Sequence, residues 1–164
     1  PRYKVESARM KLQAFNSEID VEAIPMRLEE ETTFLLKGAD LALDCMDGPA
    51  GRYLLNRCCL QQRIPLVHGA VEGLTGHVLT VLPGGPCLRC AFPGLPNRGS
   101  GVPVLGAAAG VIGSMQALEA IKAIVGIGEG REGRALFLDM GSGQVDEVVF
   151  QRSPGCPDCG SLRP

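Results

Sequence analysis

The chain has 164 residues, 45% of them hydrophobic and 21% charged, with a formal net charge of −2. This is enough apolar material for one domain with a real core, and the charge balance excludes the basic footprint of a nucleic-acid binder or of a protein held on an anionic membrane. The longest apolar stretch, Val102 to Met115, is rich in Gly and Ala and falls short of a bilayer span, no secretory signal is visible, and seven cysteines suit a reducing cytoplasm.

Val5, Ala8, Leu12 and Phe15 recur at helical spacing and predict an amphipathic helix over residues 4–15. Ile19, Val21 and Ala23 alternate with Asp20 and Glu22, which reads as a half-buried strand stopped by Pro25. Glu29 to Lys37 is a short helix with Gly38 as its stop, and Leu41 to Cys45 is an apolar run of the length of a buried parallel strand. A helix over 50–63 follows, then a strand over 65–70 and a second β pattern from Leu74 to Leu82. Gly94 to Gly101 is polar and rich in Gly and Pro, and a long helix runs from about Val104 to Val125. Arg134 to Met140 and Val145 to Phe150 form a last strand pair across Gly141-Ser142-Gly143. The alternation predicts an α/β fold with a largely parallel sheet finished by C-terminal antiparallel strands. The whole of 1–164 reads as one domain.

Two Cys-x-x-Cys pairs, Cys87-Leu88-Arg89-Cys90 and Cys156-Pro157-Asp158-Cys159, stand about 65 residues apart, each beside turn-forming Pro and Gly. Two intervening residues let both thiolates of a pair meet one ion, so together they offer the four sulfurs of a tetrahedral zinc site. Such a four-cysteine zinc staple would tie the far end of the chain to its middle; disulfides or redox dithiols are the alternatives. Cys45, Cys58 and Cys59 lie beside apolar segments and read as small core residues, Cys45 being closest to the candidate active edge.

In parallel sheets the chemistry lies at the carboxyl ends of the strands, which points to Asp44-Cys45-Met46-Asp47-Gly48. Two carboxylates three apart before a helix suit a magnesium–nucleotide position, or one of them caps the helix. Lys4 and Arg52 are cations that could meet phosphates or be solvated surface charges.

These segments, in order, resemble the MoeB/ThiF family of ubiquitin-activating-type adenylyltransferases. The resemblance is carried by Lys4-Val5-Glu6-Ser7-Ala8, Leu43 to Gly48, Arg52-Tyr53-Leu54-Leu55-Asn56, Pro65 to Ala70, Gly76-His77-Val78, both knuckles, and Gly110 to Lys122. It implies an incomplete Rossmann-like fold, with a partial nucleotide-binding part over 1–72 and a zinc-bearing, carrier-docking part over 73–164. It also implies ATP-dependent adenylation of the C-terminal carboxylate of a small ubiquitin-fold sulfur-carrier protein ending in Gly-Gly, in cofactor or thio-metabolite biosynthesis. Lys4 matches the family's phosphate lysine, and Asp47 its magnesium and adenylation aspartate. Arg52 and Asn56 match the following helix, with a structural role or a place at the nucleotide-site margin. The four cysteines match a structural zinc site, and a homodimer is implied, consistent with the small-residue run Gly106 to Gly110.

Two features depart from the family. Gly48 stands where Asn often follows the aspartate, and Arg98 to Val102 carries no cysteine for a carrier thioester, leaving adenylation alone. The family's glycine-rich nucleotide loop is not found in these residues, and Gly126 to Gly130 cannot replace it. The expectation is therefore a longer enzyme whose N-terminal part precedes Pro1, without which the fragment is inactive. The alternatives are a non-catalytic, zinc-stapled scaffold or carrier-binding module, and a zinc-dependent redox or metal-delivery protein.

Overall fold

The alternation of apolar and polar residues builds five strands into one sheet of order β1-β2-β3-β4-β5: β1 (Ala42–Asp44), β2 (Leu66–Glu72), β3 (Thr75–Val81), β4 (Arg134–Asp139) and β5 (Gln144–Val149). The computed structural model describes residues 2–97, 103–128 and 132–162. The helices are α1 (Lys4–Phe15), α2 (Pro49–Gln62), the single turn α3 (Leu88–Ala91) and α4 (Gly106–Val125), and Glu30–Leu36 forms a 3-10 helix.

The sheet is mixed, and its parallel part is smaller than expected. Among these five strands β1 and β2 run parallel, while β2–β3, β3–β4 and β4–β5 are antiparallel. The cause is local. Gly73 adopts φ +59° and turns β2 straight back into β3, a conformation costly for any residue with a Cβ. No crossover helix separates those two strands, so they cannot be parallel.

Strand alternation gives the sheet two apolar faces. Leu66, Leu79, Val81 and Ala135 face α2, α3 and the two cysteine knuckles, with Tyr53, Leu55 and Cys59 of α2 packed on them. Val67, Val78 and Leu138 face the other way, onto Ile112 and Ala120 of α4. The chain is thus a three-layer sandwich with the sheet in the middle.

Helix α1 has the bounds the sequence predicts but buries none of its residues, and Phe15 is 92% exposed. The strand expected over 19–23 does not form. A strand needs a neighbour to take its backbone hydrogen bonds, and among the described residues none lies beside this segment. The short helix before β1 is present as a 3-10 helix and ends where expected, with Gly38 at φ +81°. Helix α2 closes on Arg63 in the left-handed region, φ 56°.

Helix α4 is 20 residues long, and by length and composition alone it could cross a membrane. The reading from Val102 to Met115 therefore understates it. Its stripe Ala108, Ile112, Gln116 and Ala120 is buried against the sheet, while Val111, Leu118, Ile121 and Val125 are exposed. The loop Arg98 to Val102 and residues Glu129 to Arg131 lie outside the described residues.

Candidate active edge and metal centre

The carboxyl end of β1 runs directly into the loop 45–48, and α2 starts behind it with Gly48 as its N-cap and Pro49 in its first turn. No side chain caps α2, so neither Asp44 nor Asp47 serves as the helix cap. The two carboxylates have opposite surroundings. Asp44 is fully buried; Asp47 is exposed, with no hydrogen bond or ion pair among the described residues.

Two groups fix this loop from either side of Met46. The Asp44 Oδ1 accepts the Met46 N–H at 2.9 Å. The Arg52 guanidinium donates from Nε and Nη2 to the Met46 carbonyl at 3.0 and 2.6 Å. Arg52 therefore braces the loop that presents Asp47. Lys4 sits exposed at the first residue of α1, and no hydrogen bond or ion pair among the described residues joins it to Asp47.

Behind the loop lies a buried polar network that the sequence does not announce. In the β1–β2 register Asp44 stands opposite His68, and both are fully buried. His68 Nδ1 donates to Asp44 Oδ2 at 2.6 Å, since a carboxylate can only accept. His68 Nε2 lies 3.1 Å from His77 Nε2. His77 sits between the rings of Phe92 and Phe137, at centroid distances of 4.7 and 5.3 Å. Burial, with the neighbouring His68 and Arg52, depresses its pKa to about 3. From the opposite face Gln116 Nε2 donates to the backbone carbonyls of Asp44 (2.9 Å) and Val67 (3.2 Å). A Cβ on Gly69 would fall 2.3 Å from Gln116 Cδ, so this approach needs glycine there.

Cys45 is exposed rather than the core residue expected, and it is not an activated nucleophile. Desolvation and the Asp44 charge both push its thiol up, whereas a reactive thiol needs the opposite. Cys59, buried in α2, is pushed up to about 12 by desolvation. It belongs to the core, as the sequence indicates.

The two knuckles come together. Cys87 Sγ lies 3.6 Å from Cys156 Sγ and 3.9 Å from Cys90 Sγ, and Cys90 Sγ lies 3.4 Å from Cys159 Sγ. All four sulfurs fall within 4.8 Å of one another and all seven cysteines of the chain are free, so this cluster could hold a metal ion. Burial raises the Cys87 thiol, so an ion would have to displace its proton.

Of the two roles expected for Asn56, structural or at the nucleotide-site margin, its contacts are those of a structural residue. It is fully buried in α2, and its amide is used at both ends. Its Oδ1 accepts the N–H of Leu88 in the first knuckle (3.0 Å), and its Nδ2 donates to Asp158 Oδ2 in the second (2.9 Å). Asp158 also meets Arg89 Nε at 3.0 Å as an ion pair without hydrogen-bond alignment, and the Arg89 guanidinium stacks 3.6 Å over the Tyr53 ring. The middle residues of the two knuckles are thus clasped to each other and to α2. Asn56→Ala would strand the Leu88 N–H and the Asp158 carboxylate, at a cost of about 3 kcal/mol. Chemical denaturation of the variant against the parent chain measures this, and a loss near zero would remove Asn56 from the clasp.

Comparison with known proteins agrees with this geometry. The chain is 38% identical over 164 residues to the "SAMP-activating enzyme E1" of Haloferax volcanii, covering 96% of this chain and 60% of that protein. It is 36% identical over 164 residues to "Protein HesA" of Nostoc sp., covering 98% and 65% respectively. To the "Adenylyltransferase and sulfurtransferase MOCS3" of Drosophila virilis it is 39% identical over 168 residues, covering 96% and 37%. Among solved structures, E. coli MccB crystallised with ATP superposes with a TM-score of 0.78 at 20% identity, over 96% of this chain and 51% of MccB, which speaks to the fold alone. The chain therefore spans between about a third and two thirds of the length of these relatives. The ThiF family pattern matches residues 1–158, and the chain belongs to the ThiF family.

Proposed function

We propose that the protein adenylates the C-terminal Gly-Gly carboxylate of a small ubiquitin-fold sulfur-carrier protein, in cofactor or thio-metabolite biosynthesis. The observation that carries this is Asp47: an exposed carboxylate, without a hydrogen bond or ion pair among the described residues, just past a strand's carboxyl end, on a loop braced by Asp44 and Arg52, in a chain of the ThiF family. The names of its relatives, an activating enzyme E1 and an adenylyltransferase, support the same reaction class.

A carboxylate oxygen of the carrier attacks the α-phosphorus of ATP. The bond from that phosphorus to the bridging oxygen breaks, and pyrophosphate leaves with the electron pair. Asp47 would hold magnesium, which when bound offsets the charge that develops on the phosphates. Lys4 would approach the phosphates from α1. The test is ATP–pyrophosphate exchange by the product of the full reading frame, with a carrier ending in Gly-Gly. Exchange that requires the intact Gly-Gly end is expected; none with any such carrier would sink the reading.

Zinc suits the four sulfurs. Four ligands at about 2.3 Å on a tetrahedron stand about 3.8 Å apart; three of the sulfur pairs lie at 3.4–3.9 Å and all four sulfurs within 4.8 Å of one another. A closed all-thiolate set leaves no position for substrate, so the ion's role is structural. We also assign the protein to a reducing compartment, the cytoplasm, which suits seven free cysteines. The exposed apolar residues of α4 support a homodimer.

A further inference from the structure

We propose that His68 is a positioning residue for the Asp47 loop: its imidazole fixes Asp44, and Asp44 fixes the backbone that presents Asp47. The proposal rests on the adenylation reading only for what Asp47 does; the coupling itself is a matter of geometry.

A buried carboxylate is tolerated only when its oxygens are satisfied. Asp44 has one oxygen on His68 Nδ1 and the other on the Met46 N–H. An aspartate bonding two residues ahead is a common turn, but an exposed one rotates freely about χ1 and χ2. Here the second oxygen is pinned at 2.6 Å by a fully buried imidazole, so the carboxylate plane has one orientation. The imidazole is itself held: His77 meets its far nitrogen at 3.1 Å, and Phe92 lies beside it with a centroid separation of 6.0 Å. Gln116 fixes the Asp44 carbonyl from the other side of the sheet. Asp44 then holds the N–H before the Met46 Cα and Arg52 holds the carbonyl after it. Both peptide units flanking Met46 are set, and the next residue is Asp47. Strand pairing alone would not do this, since Asp44 is the last residue of β1.

The chain contains two histidines, and both are in this network, so the imidazole nitrogens give an unambiguous NMR readout. The intact chain is expected to show a slowly exchanging proton on His68 Nδ1, and a His77 that stays neutral between pH 8 and pH 5. A His68 Nδ1 without that proton would overturn the proposal, and this measurement needs no variant. In His68→Leu the Met46 amide is expected to lose protection from hydrogen exchange by roughly tenfold or more, while the amides of α2 keep theirs. In the full-length enzyme the same variant is expected to lose kcat for ATP–pyrophosphate exchange roughly tenfold or more, with KM for ATP little changed. His68→Asn can still donate toward Asp44 from the position of Nδ1 and should recover both. A folded His68→Leu with Met46 protection intact overturns the proposal. An enzyme with no exchange activity refutes the adenylation reading, and the Met46 amide still decides the coupling.

Discussion

Asp47→Ala is expected to lower ATP–pyrophosphate exchange by roughly 100-fold or more, with no shift in melting temperature beyond about a degree. The two halves of this expectation come from the same fact. Asp47 is exposed and makes no hydrogen bond or ion pair among the described residues, so truncating it strands no partner. Its loop is held by Asp44 and Arg52 rather than by its own side chain. What is lost is the charge that would hold magnesium against the phosphates. Asp47→Asn keeps the shape without the charge and should fall nearly as far. A variant that retains exchange within twofold would take Asp47 out of the mechanism. The neighbouring Asp44→Ala should behave differently, losing stability as well as rate, because it leaves His68 and the Met46 N–H without a partner in the interior.

Cys87→Ser is expected to remove the metal and about 4 kcal/mol or more of stability together, seen as a fall in melting temperature of about 10 °C or more. Cys87 is fully buried and is the sulfur from which both Cys90 and Cys156 are measured at 3.6–3.9 Å. A serine hydroxyl is a poor zinc ligand and would itself be buried. Without the ion, the three remaining thiols must share an apolar pocket, and the segment after β5 loses its anchor to the centre of the chain. Chelation of the parent protein should reproduce the loss, with about one zinc released per chain. A protein that is metal-free by elemental analysis and melts as before would end the zinc staple as an explanation.

The elements that pack within this chain could be read from its sequence, because their pattern and their environment agree. The bounds of α2, the pair β4 and β5, and the meeting of the four cysteines follow from periodicity, turn residues and ligand spacing. Residues 19–23 alternate as a strand should but have no neighbouring strand among the described residues, and alternation cannot report that. The direction of β3 depended on the backbone of one residue, Gly73. At the site, Asp47 and the cysteines carry recognisable spacing, whereas the Asp44–His68–His77 network does not. Its members come from three strands and meet only through register: Asp44 opposite His68 on β1 and β2, and His77 opposite Ala70 on β2 and β3. Pairing the predicted strands explicitly sets Asp44 beside His68. The role of Asn56 is hidden for a related reason, since its partners Leu88 and Asp158 are 32 and 102 residues away in sequence.

Helix α2 carries Arg52, Tyr53 and Asn56 along one side, and these reach the Met46 carbonyl, the backbone at Phe92 and Leu95, and both knuckles. The helix is therefore a ruler with marks at fixed angles. One residue inserted between Arg52 and Asn56 would rotate one end against the other by about 100°. Either the guanidinium would leave the Met46 carbonyl or the amide would leave the clasp, even though every side chain involved was still present. The stretch from Arg52 to Asn56 should therefore tolerate a change in length poorly, whereas the turn after Gln62 has no such double register to keep.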